Sequence, residues 1–177
     1  YRTEDNRIGG VVVTFTDMTD RHRLATRERL IRDLNDWLAE CRTPAEVVGL
    51  VSDRIGRHFG ALWCRCIPVD AAQQWLLVEG STAGARVPLA ELPPEMQRTL
   101  CRGQPVVASG AVLDPAVLTV FGTPPPSTGT VLLLAAVAES RLLALIGIGQ
   151  AAACVWPDED LDLVRVLAER AWLAIQK

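Results

Sequence analysis

The sequence TVLLLAAVAESRLLALIGIG, residues 130–149, decides the fold of this chain. It contains two almost wholly apolar segments of strand length, residues 130–138 and 141–149, separated by a short polar break at Glu139-Ser140. Two such neighbouring segments predict an antiparallel hairpin. Because nearly all of their side chains are apolar, both strands need cover on both faces, and the hairpin is expected at the centre of a sheet.

A helix is predicted after the hairpin. Pro157 is followed by Asp158, Glu159 and Asp160, whose negative charge complements the positive end of a helix dipole. Through residue 176, apolar residues repeat at heptad spacing, at Leu161, Val164, Ala168, Ala171 and Ile175. A helix this apolar must be covered on more than one side, by its own sheet and, we expect, by a second subunit.

Smaller elements are predicted before the hairpin. They are strands at 61–69 and 74–79, paired antiparallel by proximity, a short helix from Pro93-Pro94-Glu95 to Gly103, and a short strand at 106–108. Residues 109–128 are predicted to be a long loop with an apolar stretch at 112–121. Loops of this length within compact domains are usually functional or mobile.

Two helices are predicted near the N-terminus. The second begins at Thr43-Pro44-Ala45-Glu46, where threonine caps the helix, and Gly60 ends it. The first spans Asp20 to Cys41, and its apolar stripe consists of Leu24, Ile31, Leu34, Leu38 and Cys41. This spacing predicts a seam with another helix. An amphipathic helix packed on its own domain would show the same spacing, and both interpretations can hold at once.

Residues 10–16, GVVVTFT, are predicted to form a strand that runs directly into the first helix. A lone strand is not stable in water, so its partners are expected upstream. The segment YRTEDNRIGGVVVTFTDMTDRHR, residues 1–23, resembles the end of a PAS domain, with Asp17-Met18-Thr19 at the positions of that family's closing signature. The resemblance implies a PAS remnant at 1–19, a signalling linker helix at 20–42 and a second domain at 43–177.

The composition excludes several classes of function. The net charge is −3 and no basic residues are clustered, which argues against nucleic acid as a partner. No apolar segment reaches the roughly 18 to 20 residues that span a bilayer, so no membrane insertion is expected. Five cysteines are an odd number in a chain without an export signal, which favours reduced thiols and a cytoplasmic location.

The chain resembles the GAF family over roughly residues 24–176, which implies that the domain at 43–177 is a GAF domain. The resemblance is greatest in CRGQPVVAS at 101–109 and in LLLAAVAESRLLALIGIG at 132–149, followed by WPDEDLDLVRVLAERAWLAI at 156–175. The resemblance implies an α+β fold whose central antiparallel sheet carries helices from both termini on one face and a ligand-side loop layer on the other. AERAW, residues 168–172, is similar to GAF segments of bacterial multidomain histidine kinases. It implies a non-catalytic sensory and dimerisation domain, with a histidine kinase or, alternatively, a diguanylate cyclase downstream.

Each class of GAF ligand requires its own residues. Cyclic-nucleotide-binding members contain a lysine in their pattern, and the only lysine here is the final residue, Lys177. Bilin-binding members attach the pigment to a cysteine that precedes a histidine, and no cysteine here does so. Haem would need an axial ligand such as His58, although a histidine near a helix end is more often a capping or core residue. No cofactor is predicted, and the small-molecule ligand is unknown.

An enzymatic function is the alternative. Some small GAF proteins are free-methionine sulfoxide reductases, which need a nucleophilic cysteine of low pKa and a resolving cysteine. Cys64 and Cys66 lie on one face of a predicted strand and are interpreted as a packed pair. Only Cys101 lies near the predicted pocket.

A ligand pocket is predicted between the sheet and residues 87–121, because that side carries the long loop. Its predicted lining is Cys64, Leu77, Met96, Leu100, Phe121 and His58. Trp63 could also line a pocket, but large aromatic residues more often belong to the core. A parallel homodimer is predicted through the first and last helices, with an interface of Leu24, Ile31, Leu34, Leu38, Leu161, Val164, Ala168, Ala171 and Ile175.

Overall fold

The computed structural model describes residues 13, 18–70, 72, 75–77, 86–110, 113–138, 141–152 and 154–175. The strand predicted at 10–16 lies outside these residues except for Val13, so the PAS remnant stays a prediction. The helices are α1 (Thr19–Glu40), α2 (Pro44–His58), α3 (Pro94–Cys101), α4 (Pro115–Phe121) and α5 (Asp158–Ile175). The strands are β1 (Trp63–Pro68), β2 (Trp75–Leu77), β3 (Arg86–Pro88), β4 (Val106–Ser109), β5 (Thr130–Ala138) and β6 (Arg141–Gln150).

The β5–β6 hairpin lies at the centre of the sheet, as its apolar sequence predicted. Antiparallel strands follow the order β1, β6, β5, β4. β2 and β3 form a separate sheet, and among the described residues the predicted antiparallel pairing of the 61–69 and 74–79 segments is present as a bridge between Val69 and Leu76. The expected α+β architecture is confirmed.

Three helices cover one face of the sheet. α2 packs on β1, α5 on β5 and β6, and α1 lies over α5 and α2. α2 begins as predicted, since the Thr43 side chain accepts a hydrogen bond from the Glu46 amide at 3.3 Å, and Gly60 takes a φ of +59° beyond its end. Together the helices and the sheet bury a helix-side cluster that includes Leu34, Val51, Ile146, Ile148 and Leu167.

α1 and α5 run in the same direction. Arg27 pairs with Glu159 at 3.1 Å near the start of α5, and Arg170 Nη1 donates to Asn35 Oδ1 at 2.7 Å further along both helices. Arg27 also donates to the main-chain carbonyl of Glu159. Arg27 of α1 is therefore attracted to the acidic first turn of α5, which opposes the repulsion between the parallel helix dipoles.

The opposite face of the sheet is covered by α3, α4 and the β2–β3 sheet. These elements and the sheet bury a loop-side cluster that includes Ile67, Leu100, Val120, Phe121, Leu133 and Leu145. The two clusters are therefore separated by the thickness of the sheet. Within the described ranges, no helix has the length and apolar character needed to cross a membrane.

Residues 109–128 are not a continuous loop, because they contain α4. The Asp114 side chain caps this helix by accepting a hydrogen bond from the main-chain amide of Ala116 at 2.8 Å, and Pro115 occupies the first helical position. Its buried face carries Val117, Val120 and Phe121. The prediction of an unbroken loop was wrong because a helix of seven residues is too short to show an apolar period.

Candidate functional site

β1 divides its side chains between the two faces of the sheet. Cys64 and Cys66 join the helix-side cluster, whereas Trp63 and Ile67 join the loop-side cluster. This division follows from the two-residue period of a strand. Both thiols are free and share one face, as the spacing predicted.

Three of the predicted pocket residues lie on the loop side. Leu100 and Phe121 are buried in the loop-side cluster, and Met96 packs against it. Their side chains fill the space between the sheet and the two short helices α3 and α4, so this part of the predicted pocket is packed core.

The other three predicted pocket residues lie elsewhere. Cys64 packs against the helix-side cluster, and His58 ends α2 on that same side. Leu77 is partly exposed on β2 beside the buried Leu76. The predicted lining is corrected accordingly, because the spacing shows that side chains alternate but not which face each set occupies.

Two glycines of β6, Gly147 and Gly149, form a bare strip on the loop side, named here the glycine platform. The isoleucines that alternate with them belong to the helix-side cluster. A Cβ atom on Gly147 would lie 2.7 Å from Phe121 Cδ1 and 2.8 Å from Trp63 Cη2. One on Gly149 would lie 2.1 Å from Trp63 Nε1. Two aromatic rings therefore rest directly on the main chain of β6, and only glycine permits this approach.

Trp63 and Phe121 together occupy the middle of the loop-side face. Their ring centroids are 6.2 Å apart and the rings are tilted by 47°. The Trp63 Nε1 atom is buried and has no hydrogen-bond partner among the residues that the structure describes. An unpaired buried donor costs about 1–3 kcal/mol, so the indole is held by packing rather than by hydrogen bonding.

An open cleft lies between the C-terminal halves of α1 and α5. This terminal groove has a volume of about 890 Å³, with apolar walls from Leu38, Ala39, Cys41, Val166, Leu173 and Ala174. Asn35, Glu169 and Arg170 supply its polar groups. Leu173 is 63% exposed, although it lies beside a groove that apolar residues line.

Most of the predicted dimer-interface residues are buried within their own domain. The helix-side cluster contains Leu34, Leu38, Leu161, Val164, Ala168 and Ala171. Ile31 and Ile175 pack against this cluster while partly exposed, and Leu24 is 57% exposed. The heptad spacing therefore reflects the packing of α1 and α5 inside one chain, which the sequence left open as an interpretation. An intermolecular interface stays a prediction.

His58 lies near charged groups of two other helices, Asp160 of α5 and Arg27 of α1. Burial lowers the pKa of His58 below its ordinary value of 6.5, an effect that Asp160 opposes and Arg27 strengthens. The ring of His58 meets that of Phe59 edge-on at 4.8 Å. These surroundings favour the neutral imidazole on the helix side of the sheet, away from Trp63.

The buried thiols are poor nucleophiles. Burial raises the pKa of Cys66 to about 12. Burial, followed by repulsion from Cys66, also raises the pKa of Cys64, and burial with nearby carboxylates raises that of Cys41. Less thiolate is then present near neutral pH, and the thiolate is the nucleophile. Cys101 is exposed at the end of α3. Over the described parts of the chain, no cluster of His, Cys, Asp and Glu could hold a metal ion.

The sequence pattern of the GAF domain matches residues 36–175, which include α2 to α5 and every strand. The chain belongs to the GAF family. The matched segment supplies both faces of the sheet, so the glycine platform and the loop-side cluster lie within the GAF domain proper.

Solved structures share this GAF fold at low sequence identity. The GAF domain of a phosphoenolpyruvate-protein phosphotransferase from Coxiella burnetii aligns with a TM-score of 0.64 and 15% identity, over 85% of this chain and 92% of that one. A free methionine-R-sulfoxide reductase from Neisseria meningitidis, in complex with its substrate, aligns with a TM-score of 0.59 and 13% identity over 96% of each chain.

A phycocyanobilin-bound GAF domain from a cyanobacterial phytochrome aligns with a TM-score of 0.60 and 10% identity, over 92% of this chain and 95% of that one. No curated protein matches the chain. At these identities the likeness shows the fold alone, and the ligands of the relatives are properties of those proteins.

The glycine platform was not predicted from the sequence. A signal was present in IGIG, residues 146–149, where large residues alternate with glycine in a strand expected at the centre of the sheet. Glycine within such a strand indicates that another group approaches the main chain closely. The approaching group could not be identified, because Trp63 lies far away in the sequence.

Proposed function

We propose that this GAF domain is a non-catalytic sensory and dimerisation module of a bacterial cytoplasmic signal-transduction protein, such as a sensor histidine kinase. The state of an upstream segment, such as a PAS domain, passes through α1 and α5 to a downstream output module. The parallel packing of α1 on α5 carries the proposal, because two helices that run together connect opposite ends of the domain. A diguanylate cyclase is the alternative output.

The polar contacts between α1 and α5 are weak, whereas Leu34 and Leu38 anchor α1 in the helix-side cluster. The ion pair between Arg27 and Glu159 and the hydrogen bond from Arg170 to Asn35 both lie at the surface. Exposed ion pairs typically contribute about 0–1 kcal/mol each. Exchanging a few such contacts involves energies comparable with the about 1–3 kcal/mol that usually couples two sites.

α5 is also joined to the loop side of the sheet. Arg165 Nη2 donates to the carbonyl of Gly103 at 2.6 Å, and Arg165 Nη1 donates to Asp162 at 2.5 Å. Gly103 follows α3, whose Leu100 is buried in the loop-side cluster. A movement of α3 would therefore reach the last helix through a direct hydrogen bond.

In the proposed dimer a second copy of the chain occupies the terminal groove. The exposed Leu173 lies beside that groove, so a two-fold axis near it lets each copy insert Leu173 into the groove of the other. The groove is also self-complementary in charge, because Glu169 and Arg170 both line it. With α1 and α5 parallel within each copy, an axis along the helices gives a parallel dimer.

Analytical ultracentrifugation of Leu173→Glu tests the dimer. The variant is expected to weaken dimerisation at least about tenfold, since a carboxylate would have to enter an apolar groove. Its circular dichroism spectrum should match that of the wild type, because Leu173 is exposed and its replacement leaves the fold of each copy unchanged. Val155→Glu is the matched control, since Val155 is 90% exposed and does not line the groove. A wild type that stays monomeric at high protein concentration would contradict the dimer.

The reductase alternative can be tested separately. The raised pKa values of Cys41, Cys64 and Cys66 give it no support, and Cys101 is the exposed thiol beside the loop side. The sensory proposal expects no turnover of free methionine sulfoxide by reduced protein. Turnover that disappears in Cys101→Ser would establish the enzyme instead.

A further inference from the structure

We propose that the loop-side face contains a binding site for a planar aromatic group, and that the chain fills this site with its own Trp63. The site lies between the glycine platform and Phe121. The inference concerns the occupancy of this face and depends neither on the dimer nor on the relay proposed above.

The floor of the site is bare main chain. Gly149 lies between Trp63 of β1 and Val131 of β5 in the register of the sheet, and Val131 is fully buried. Gly147 extends the same bare strip toward Phe121. A flat ring can contact such a floor over its whole area, whereas a branched side chain cannot. The floor therefore selects planar groups.

The inner walls of the site are apolar and are held by residues other than Trp63, and the guanidinium of Arg65 borders them next to Gly122. Phe121 is buried at the end of α4, and Val117 and Val120 anchor that helix to the sheet. These side chains keep their own packing partners when the indole is removed. Arg65 lies opposite Gly147 in the register, and its Nη1 atom would lie 3.2 Å from a Cβ atom on Gly122. A positively charged ligand would be repelled by this guanidinium, so the walls recognise an aromatic group without positive charge.

Trp63 fits the site by shape but not by hydrogen bonding. Its Nε1 atom is buried without a partner among the described residues. Trp63 is also the first residue of β1, and the preceding Leu62 is 42% exposed, so the ring is carried at the end of a strand. A free ring in the same position could orient itself to reduce the penalty of the unpaired N–H.

Trp156 provides a matched comparison. Its Nε1 is likewise buried without a partner among the residues described. Its ring meets Phe59 at 5.2 Å on the helix side of the sheet, away from the glycine platform. If only the size of a missing indole mattered, removal of either tryptophan would create a site.

Binding of indole to Trp63→Ala tests the proposal. Trp63 is partly exposed, so its removal leaves an apolar site that is open to solvent on one side. Fully enclosed apolar cavities of about 150 Å³ in proteins bind a benzene-sized ring. Indole at ten times its dissociation constant should raise the Tm of Trp63→Ala by about 3–5 °C. The wild type and Trp156→Ala should show no shift. Adding Gly149→Val to Trp63→Ala should abolish the shift, because the valine side chain refills the site.

A second variant, Trp63→Val, tests the proposal if Trp63→Ala does not fold. Should Trp63→Ala not fold alone, indole is expected to restore its circular dichroism spectrum, and Trp63→Val should fold and bind benzene. The proposal is overturned if indole stabilises the wild type or Trp156→Ala as much as Trp63→Ala. It is equally overturned if neither Trp63 variant responds to its ligand.

Discussion

At the scale of single residues, Gly149 sets where Trp63 can lie. A Cβ atom at this position would lie 2.1 Å from the indole nitrogen, so the partly buried ring would have to shift from its place beside Phe121. Overpacking of a closed core typically costs about 1–3 kcal/mol. An absent side chain thus determines the arrangement of this face of the domain.

Gly149→Ala is expected to lower the free energy of unfolding by about 1–3 kcal/mol in urea titrations. Gly49→Ala is the control, because a Cβ atom there has no neighbour within 4 Å and the position is exposed on α2. It should be neutral or stabilising by up to about 1 kcal/mol. In a Trp63→Ala background the cost of Gly149→Ala should shrink. An equal cost in both backgrounds would exclude the contact with the ring.

His58 should make the protein less stable in mild acid. Its pKa is lowered in the folded state, so the unfolded chain binds a proton more readily as the pH falls through about 6.5. The stability that the neutral His58 contributes is fully present above about pH 6.5, and it is lost as the pH falls toward the lower pKa of the folded state.

His58→Gln should therefore flatten the stability profile between about pH 7 and 5, measured by urea unfolding across that range. His22→Gln, at the exposed histidine of α1, is the control. A steeper or unchanged acid dependence in His58→Gln would contradict the assignment.

At the scale of the element, α1 shows why heptad spacing does not name a partner. Leu34 and Leu38 are buried against the chain's own α2 and α5 cluster, whereas Leu24 of the same stripe is exposed. The spacing indicates only that one face of a helix is covered. Whether that face packs against the same chain or a second one depends on the fold, which a local sequence pattern does not specify.

Leu34→Ala should reduce the free energy of unfolding by about 2–5 kcal/mol, because it leaves a cavity beneath α1. Leu24→Ala should change it by less than about 0.5 kcal/mol, since its side chain is 57% exposed. Chemical denaturation of both variants checks this contrast. Equal effects would mean that α1 is not docked on the domain in solution.

The longer elements could be predicted from the sequence because their patterns are local. The hairpin, α2 and α5 carry long apolar runs or capping residues, and the structure reproduces them closely. α4 was missed, although Asp114-Pro115 is a helix-start signal, because a short apolar segment does not distinguish a helix from a buried loop.

At the scale of the whole molecule, the sheet separates two cores, and this separation explains the error in the predicted pocket. Cys64 and Trp63 are neighbours in sequence but lie in different cores. Choosing the face of each requires the positions of α4 and α5, which come from the far end of the chain. The existence of a loop-side layer could therefore be predicted, but its filling by Trp63 could not.

Because α1 and α5 run in the same direction, the domain also fixes the distance between the start of α1 and the end of α5. The chain enters at the end where Arg27 meets Glu159 and leaves beyond Arg170, at the other pole. At a rise of 1.5 Å per residue, counted through either of these contacts, Thr19 and Ile175 are about 32–36 Å apart along the helix axes. Anything joined to the two ends is kept at that separation, and sliding α1 by one turn would alter it by about 5.4 Å.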